Sequence, residues 1–201
     1  MSTAAPRTQR GERTRAALVA GARRVFEREG YLGTKITDIT REAGVATGSF
    51  YTYFADKEEV FAAVMDDVRH EMLHPTVEAA EDPVAAIEVA NRAYLEAVRR
   101  NARLVALMEQ VGAIDERFRA WRQETGRVFV ERNTAAIRSL QRQGLADPRL
   151  DPELAARALS AMVSRMAYLT FVSGEVGASL EDVLAAVTRL WANALRLSPA
   201  A

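Results

Sequence analysis

Residues 36–54, ITDITREAGVATGSFYTYF, leave little room for any local fold other than two short helices joined by a glycine turn. Ile36, Ile39 and Ala43 recur at helical spacing and mark one face of a first helix. Gly44 supplies the positive φ that closes it, and Val45 and Phe50 return apolar groups to the same small core. The second helix has only Phe50 and Phe54 to bury. Left outside are Thr47, Ser49, Tyr51, Thr52 and Tyr53, a row of hydroxyls. Short hydroxyl side chains suit phosphates and base edges, so the pattern implies a helix-turn-helix whose second helix faces DNA.

Charge supports this division of labour. The chain of 201 residues is neutral overall, with 27 basic and 27 acidic side chains. Residues 1–57 nevertheless carry 10 Lys plus Arg against 6 Asp plus Glu, and residues 58–201 carry 17 against 21. Positive charge gathers where phosphate contacts would be made, and the acidic remainder would be repelled by a duplex. The expected domains are therefore 1–57, an N-terminal arm with the DNA-binding unit, and 58–201, a helical domain with a second role. A protein that merely coats DNA would have no use for that acidic part. The opening dozen residues, with Arg7, Arg10 and Arg13 among small polar residues, read as disordered when free, either a solvated tail or an arm for the minor groove.

Zero cysteines exclude a disulfide framework and a thiolate metal site. No run approaches the roughly 18 apolar residues of a membrane span, and the N-terminus lacks the apolar core of a signal peptide. The expectation is a cytoplasmic protein with no membrane partner and no cofactor.

Apolar residues recur at three and four rather than two throughout, which predicts an all-α chain of about nine helices. The first spans Glu12 to Glu29 and closes at Gly30. Asp56 caps the fourth, which must stop near His74 ahead of Pro75. Asp82-Pro83 opens the fifth, with Ile87, Asn91, Tyr94 and Val98 in line. Asn101 to Ile114 forms a sixth, and Asp115 to Gln143 a seventh stopped by Gly144. Asp151-Pro152 opens an eighth that ends near Gly174, and Ser179 with Asp182 starts the ninth. The ninth has a wide apolar stripe: Leu180, Val183, Leu184, Val187, Leu190, Trp191, Ala194 and Leu195. The eighth adds Ala155, Leu159, Met162, Met166, Leu169 and Val172. Such stripes serve either as intrachain core or as a four-helix interface between two subunits.

The segment from Arg15 to Glu58 resembles the DNA-binding domain of the TetR family of bacterial transcriptional regulators. Upstream of the helix-turn-helix the likeness rests on Arg15 to Val19, Val25-Phe26 and Gly30-Tyr31. Downstream it rests on Tyr51-Thr52-Tyr53-Phe54-Ala55-Asp56-Lys57-Glu58, similar to the family's Y-x-H/Y-F-x-x-K-E run. The resemblance implies a three-helix DNA-binding domain followed by a larger helical domain that binds a small effector and dimerises through its last two helices. It implies a regulator, commonly a repressor released by its ligand, and not an enzyme. By position it places DNA contacts at Thr34, Lys35, Thr37, Thr47, Gly48, Ser49, Tyr51, Tyr53 and Lys57. Gly48 would let backbone approach the bases, Lys57 would anchor a phosphate, and the two tyrosines either reach phosphates or pack within the domain. A dimer could set two reading helices about 34 Å apart on a palindromic double-stranded operator. Two positions depart from the family. Thr40 stands where Ala is usual at the helix crossing, and Ala46 stands where Ser often caps the reading helix, a task that Thr47 could take over.

For the implied effector, Asn91, Tyr94, Met108, Trp121, Phe129, Met162, Arg165 and Met166 offer a mostly apolar wall, which would suit an apolar ligand, or they form plain core. Arg165 would pair with an acid such as Glu109 or Glu124, face a dimer seam, or await an anionic group. One enzyme-like motif stands apart, His70-Glu71-Met72-Leu73-His74, a literal H-E-x-x-H. It admits a zinc hydrolase or a metal-responsive regulator, with Glu78 or Glu81 as a further ligand. Against both, the helix stops at Pro75, no further histidine exists and no strand can hold a peptide. The expected metal set is none.

Overall fold

The computed structural model describes residues 8–73 and 82–197. Along them run α1 (Gln9–Gly33), α2 (Ile36–Ala43), α3 (Thr47–Phe50), α4 (Lys57–Leu73), α5 (Pro83–Arg100), α6 (Ala102–Ile114), α7 (Glu116–Arg142), α8 (Pro152–Ala167) and α9 (Leu180–Leu195), with no strand among the described residues. The all-α class read from the apolar period is the observed one.

Helix starts follow the capping chemistry. Asp82 and Asp151 each accept a backbone N–H through a carboxylate oxygen, from Ala85 and from Leu154, both at 2.8 Å, with proline in the first turn. Ser179 and Asp182 form a reciprocal capping box at α9, and Asp56 takes the Glu59 N–H at 2.8 Å before α4. α1 starts earlier than its apolar pattern suggested. Thr8 caps it by accepting from the Gly11 N–H, and Glu12 falls in the first turn, where acid suits the helix dipole. Arg10 and Arg13 therefore lie on a helix, not in a disordered arm; Arg7 lies outside the described residues.

Helix ends show one feature that sequence did not reveal. After Ala167 the chain widens into a π-helical turn, Tyr168–Val172, and the Ser173 N–H donates to the Tyr168 carbonyl at 2.9 Å. The eighth helical segment thus ends at Val172, close to the expected Gly174, but it does not reach that point as α-helix.

The chain forms two compact units. The first comprises the described residues up to His70 together with Leu107–Phe118. It extends past residue 57, where charge and motif had placed a boundary, because α4 lends its apolar face to this core: Val60, Phe61, Val64, Met65 and Val68 are all buried. The Phe61 ring lies 4.9 Å from both Phe26 and Tyr31 and 5.3 Å from Phe118. Four aromatic rings in edge and tilted contact make a cluster that no single helix could supply.

The second unit comprises Glu71–Ala106 and the residues from Arg119 on. Here α5 packs on α9. The Asn91 amide donates to the Thr188 hydroxyl at 3.3 Å, and Arg92 forks onto Glu181 at 2.6 and 2.8 Å. This packing uses most of the apolar stripe on α9. Leu180, Val183, Leu184, Val187, Trp191 and Leu195 are buried within the chain, and only Leu190 and Ala194 of that set are exposed. The outward side of α8 and α9 is a different row: Leu154, Ala158, Ala161 and Arg165 on α8, Ala186, Leu190 and Ala194 on α9. No helix among the described residues is long and apolar enough to cross a membrane.

Candidate nucleic-acid interface

In the first unit α1 and α2 cross closely at Gly21. A Cβ there would stand 3.1 Å from the Ala43 Cβ and 3.2 Å from the Ile39 carbonyl, closer than packed side chains normally approach. Arg24 and Arg28 of α1 fix the crossing by reaching Glu42 of α2 at 2.7 and 3.5 Å. Gly44 then turns the chain with φ 66° and ψ 31°, and the N–H groups of Gly44 and Val45 close on the carbonyls of Arg41 and Thr40. Ile39 and Phe50 are fully buried beneath the turn.

Thr40 fits the crossing without an unpaired hydroxyl. It is buried, and its Oγ1 lies 3.2 Å from the Thr37 carbonyl and 3.1 Å from the Thr47 Oγ1. Thr47 does not take over the cap. Ala46 occupies the cap position with no side-chain bond, Thr47 is the first helical residue, and its hydroxyl joins α3 to α2. α3 itself is short. Its helix closes at Phe50, and turn bonds from Thr52, Tyr53 and Phe54 back to Ser49 and Phe50 carry the chain on.

Thr47, Gly48, Tyr51 and Thr52 are exposed, and Ser49 and Tyr53 are half-buried. A Cβ at Gly48 would meet nothing within 4 Å, and its φ is not positive, so the chain's own packing does not require glycine there. Tyr51 is 57% exposed, with its ring edge-on to Phe50 at 5.5 Å, so its hydroxyl projects from a braced ring. Lys35 and Thr37 are exposed at the start of α2.

Two members of the expected set are turned inward. Thr34 is buried, and its hydroxyl donates to the Gly30 carbonyl at 2.6 Å. Lys57 donates to the carbonyls of Tyr31 at 2.9 Å and Thr34 at 3.3 Å, with its ammonium 4.6 Å from the centre of the Tyr31 ring. The Tyr31 hydroxyl in turn donates to Glu58 at 2.9 Å. Burial and that carboxylate push the Tyr31 phenol well above its ordinary range.

The geometry of a buried crossing, a glycine turn and an outward hydroxyl row has counterparts. The chain matches the family model for bacterial regulatory proteins of the tetR family over residues 18–64, the segment that builds this unit. Residues 18–64 thus carry a DNA-binding domain of the TetR type. A TetR-family transcriptional regulator from Pectobacterium atrosepticum has a solved structure that is 29% identical, with a TM-score of 0.71, over 96% of this chain and all of that one. The HTH-type transcriptional regulator TtgR of Pseudomonas putida is 27% identical over 167 residues, 77% of this chain and 79% of TtgR. YfiR of Bacillus subtilis, an HTH-type regulator, is 26% identical over 121 residues, and the match spans 60% of this chain and 58% of YfiR. Helix-turn-helix DNA binding thus describes this segment of the chain.

The residues expected to line an effector site fall in both units. Met108 is buried in the first unit. In the second unit the Tyr94 and Phe129 rings meet edge to face at 5.4 Å, and Trp121, Met162 and Met166 are half-buried. Among the described residues Arg165 has no ion-pair partner. It is exposed, 5.5 Å from the Tyr168 ring centre, and Glu124 is instead paired with Arg127 at 2.6 Å. An open cavity of about 350 Å³ lies along α5 and α9, bordered by Val84, Glu88, Glu181, Leu184, Thr188 and Arg189 among others. Sequence reasoning missed it because its lining alternates charged and apolar residues and carries no aromatic. Asn91 alone of the expected set borders on it indirectly, through its bond to Thr188. In the H-E-x-x-H run, the Glu71 carboxylate accepts from the Asn101 amide at 3.0 Å; His74, Glu78 and Glu81 lie outside the described residues. No cluster of three metal-ligating side chains occurs among the described residues.

Proposed function

We propose that this TetR-family chain is a ligand-responsive repressor that binds a palindromic operator as a homodimer and leaves it when a small, largely apolar effector binds. The observation that carries the reading is the outward row of Thr47, Gly48, Ser49, Tyr51 and Tyr53, held on a rigid crossing with open space over Gly48. Glycine at a helical position with no packing reason costs about 0.5–1 kcal/mol relative to alanine. Close approach of a DNA backbone or base edge supplies the missing reason. Thr47 and Ser49 meet base edges or a thymine methyl, and Tyr51 and Tyr53 meet phosphates. The reading row lacks Arg, Asn and Gln, so specificity leans on methyl contacts, water and duplex shape.

The exposed row on α8 and α9 supports the dimer. Leu154 and Leu190 are 68% and 50% exposed, flanked by Ala158, Ala161, Ala186 and Ala194, and small residues let helices of two subunits approach closely. Arg165 continues the same α8 face and would sit at that seam. Half-buried Tyr94, Trp121, Phe129, Met162 and Met166 support an apolar effector, since they are neither sealed in core nor free in solvent. A ligand that binds one spacing of the reading heads better than another shifts the dimer toward it, and α4, whose residues belong to both units, carries the shift.

A genome-wide binding map followed by footprinting tests the reading. The expected footprint has two half-sites about 34 Å apart and weakens steeply with salt. A single half-site, or binding indifferent to salt, would overturn it. Genes beside the operator then supply effectors for thermal-shift screening, and a screen that returns only small hydrophilic binders would exclude the apolar ligand.

A further inference from the structure

We infer that the effector is an amphipathic anion, an acyl or aryl carboxylate whose head group meets the Arg132 guanidinium and whose body lies along α7 toward Thr125. The inference rests on the effector reading above and names the ligand class for it.

All the groups involved belong to the second unit. Arg132 donates to the carbonyl of Leu73, the end of α4, at 3.2 Å, and its guanidinium lies 5.3 Å from the centre of the Phe129 ring. These contacts hold the group in place and leave further N–H donors uncommitted. No carboxylate pairs with it among the described residues. Its neighbours one turn away on α7, Val128, Phe129, Ala135 and Ala136, are all apolar, so no acid reaches it along the helix. On an exposed face of the same helix the opposite holds, since Arg127 is gripped by Glu124 and Glu131. Arg132 keeps an exposed edge, yet burial of the rest of the group, with no counter-charge to offset it, pushes the guanidinium below its ordinary range.

The wall beside this cation is aromatic and half-open. Phe129 meets Tyr94 of α5 edge to face at 5.4 Å, and both rings are half-buried. One turn before Phe129 on the same face of α7, Thr125 has a buried Oγ1 without a hydrogen-bond partner among the described residues. A buried hydroxyl normally finds a partner, so this one is spare for a ligand. Thr125 and Arg132 stand two turns apart, about 10 Å along the helix. A cation, an aromatic strip and a hydroxyl in that order complement a molecule charged at one end and apolar along its length. The planar fork of arginine matches a carboxylate in particular. A cationic effector would meet like charge there.

Matched probes read the charge directly: octanoate beside octanamide, and phenylbutyrate beside phenylbutyramide, titrated calorimetrically into the full chain at a temperature where every variant is folded. The wild type is expected to bind each anion on the order of tenfold more tightly than its amide, the worth of one charge-assisted hydrogen bond. Arg132→Gln should erase that preference and leave amide affinity unchanged. Arg132→Lys, which keeps the charge without the fork, should retain part of it. ω-Hydroxyoctanoate, with its polar ends about 10 Å apart, should bind more tightly than octanoate, a gain that Thr125→Val removes. Equal affinity for anion and amide, or a preference that survives Arg132→Gln, overturns the inference, and a hydroxyl gain that survives Thr125→Val overturns the placement along α7. Duplex release decides the effector reading separately, on a duplex selected from a random-sequence pool by the wild type. An anion that binds through Arg132 without weakening the duplex complex would uphold the site and overturn that reading. Failure of every probe to bind the wild type overturns the inference as well as the reading on which it rests.

Discussion

At the scale of single residues, backbone geometry and one carboxylate govern the DNA-binding unit. Gly30 adopts φ 73° and ψ 172°, a region that side chains with a Cβ enter only under strain. Gly30→Ala is expected to cost about 1–3 kcal/mol in denaturant unfolding, although the added methyl would meet only Leu107 at 3.9 Å. Glu42 is held below its ordinary value of 4.5, first by its bond to Arg24 and then by the nearby charges of Arg24 and Arg28. A depressed carboxylate stabilises the fold at pH above its unfolded value, and that contribution is lost as pH falls through the folded value. Acid unfolding followed by circular dichroism should thus begin earlier in the wild type, relative to its own neutral stability, than in Glu42→Gln, whose stability lacks this term throughout. Gly44 and Gly30 could be read directly from sequence, since turns of positive φ favour glycine. The Thr40 and Thr47 pair could not. Each hydroxyl had several local partners available, and only the angle between α2 and α3 brings the two to 3.1 Å.

At the scale of elements, helix starts were readable and helix faces were not. Asp56, Asp82, Asp151 and Ser179 mark starts because a short acceptor side chain must satisfy N–H groups that the helix leaves open. Ser179→Ala removes the capping box of α9 and should lower stability by about 1 kcal/mol, measured as a shift in denaturant midpoint at constant slope. Faces depend on partners, which a single sequence does not name. The stripe on α9 was wide enough to suggest an intersubunit surface, but α5 and its neighbours cover most of it within the chain. The expected effector residues were not separable from core for the same reason: aromatic and Met positions at helical spacing have identical signatures in a pocket wall and in core. The bonds of Lys57 to the Tyr31 and Thr34 carbonyls were hidden for a different reason, since position in a motif says nothing of where a four-carbon stem can bend.

At the scale of the molecule, the TetR-type DNA-binding unit borrows α4 up to His70 and a segment of α6 and α7. This boundary was hidden from sequence because the motif ends at Lys57, whereas the aromatic cluster that completes the core includes Phe118, far along the chain. The proposed dimer makes its own demand. Leu190→Glu places a charge at the centre of the exposed row, where burial against a second subunit without a partner would be costly. The variant should sediment as a monomer with an unchanged melting profile at low concentration and should lose operator affinity, because each reading head would then bind alone. A dimer that survives the substitution would move the interface elsewhere.

The π-helical turn at Tyr168–Val172 holds one residue more than an α-helix of the same rise needs. The extra residue is wound into the same arc, so deleting any one residue there would let the helix close on its ordinary bonds and leave the direction of everything from Ser173 onward nearly unchanged. A single-residue indel at this point is therefore one that related chains could absorb, changing length by a residue while keeping both the body of α8 and the approach to α9.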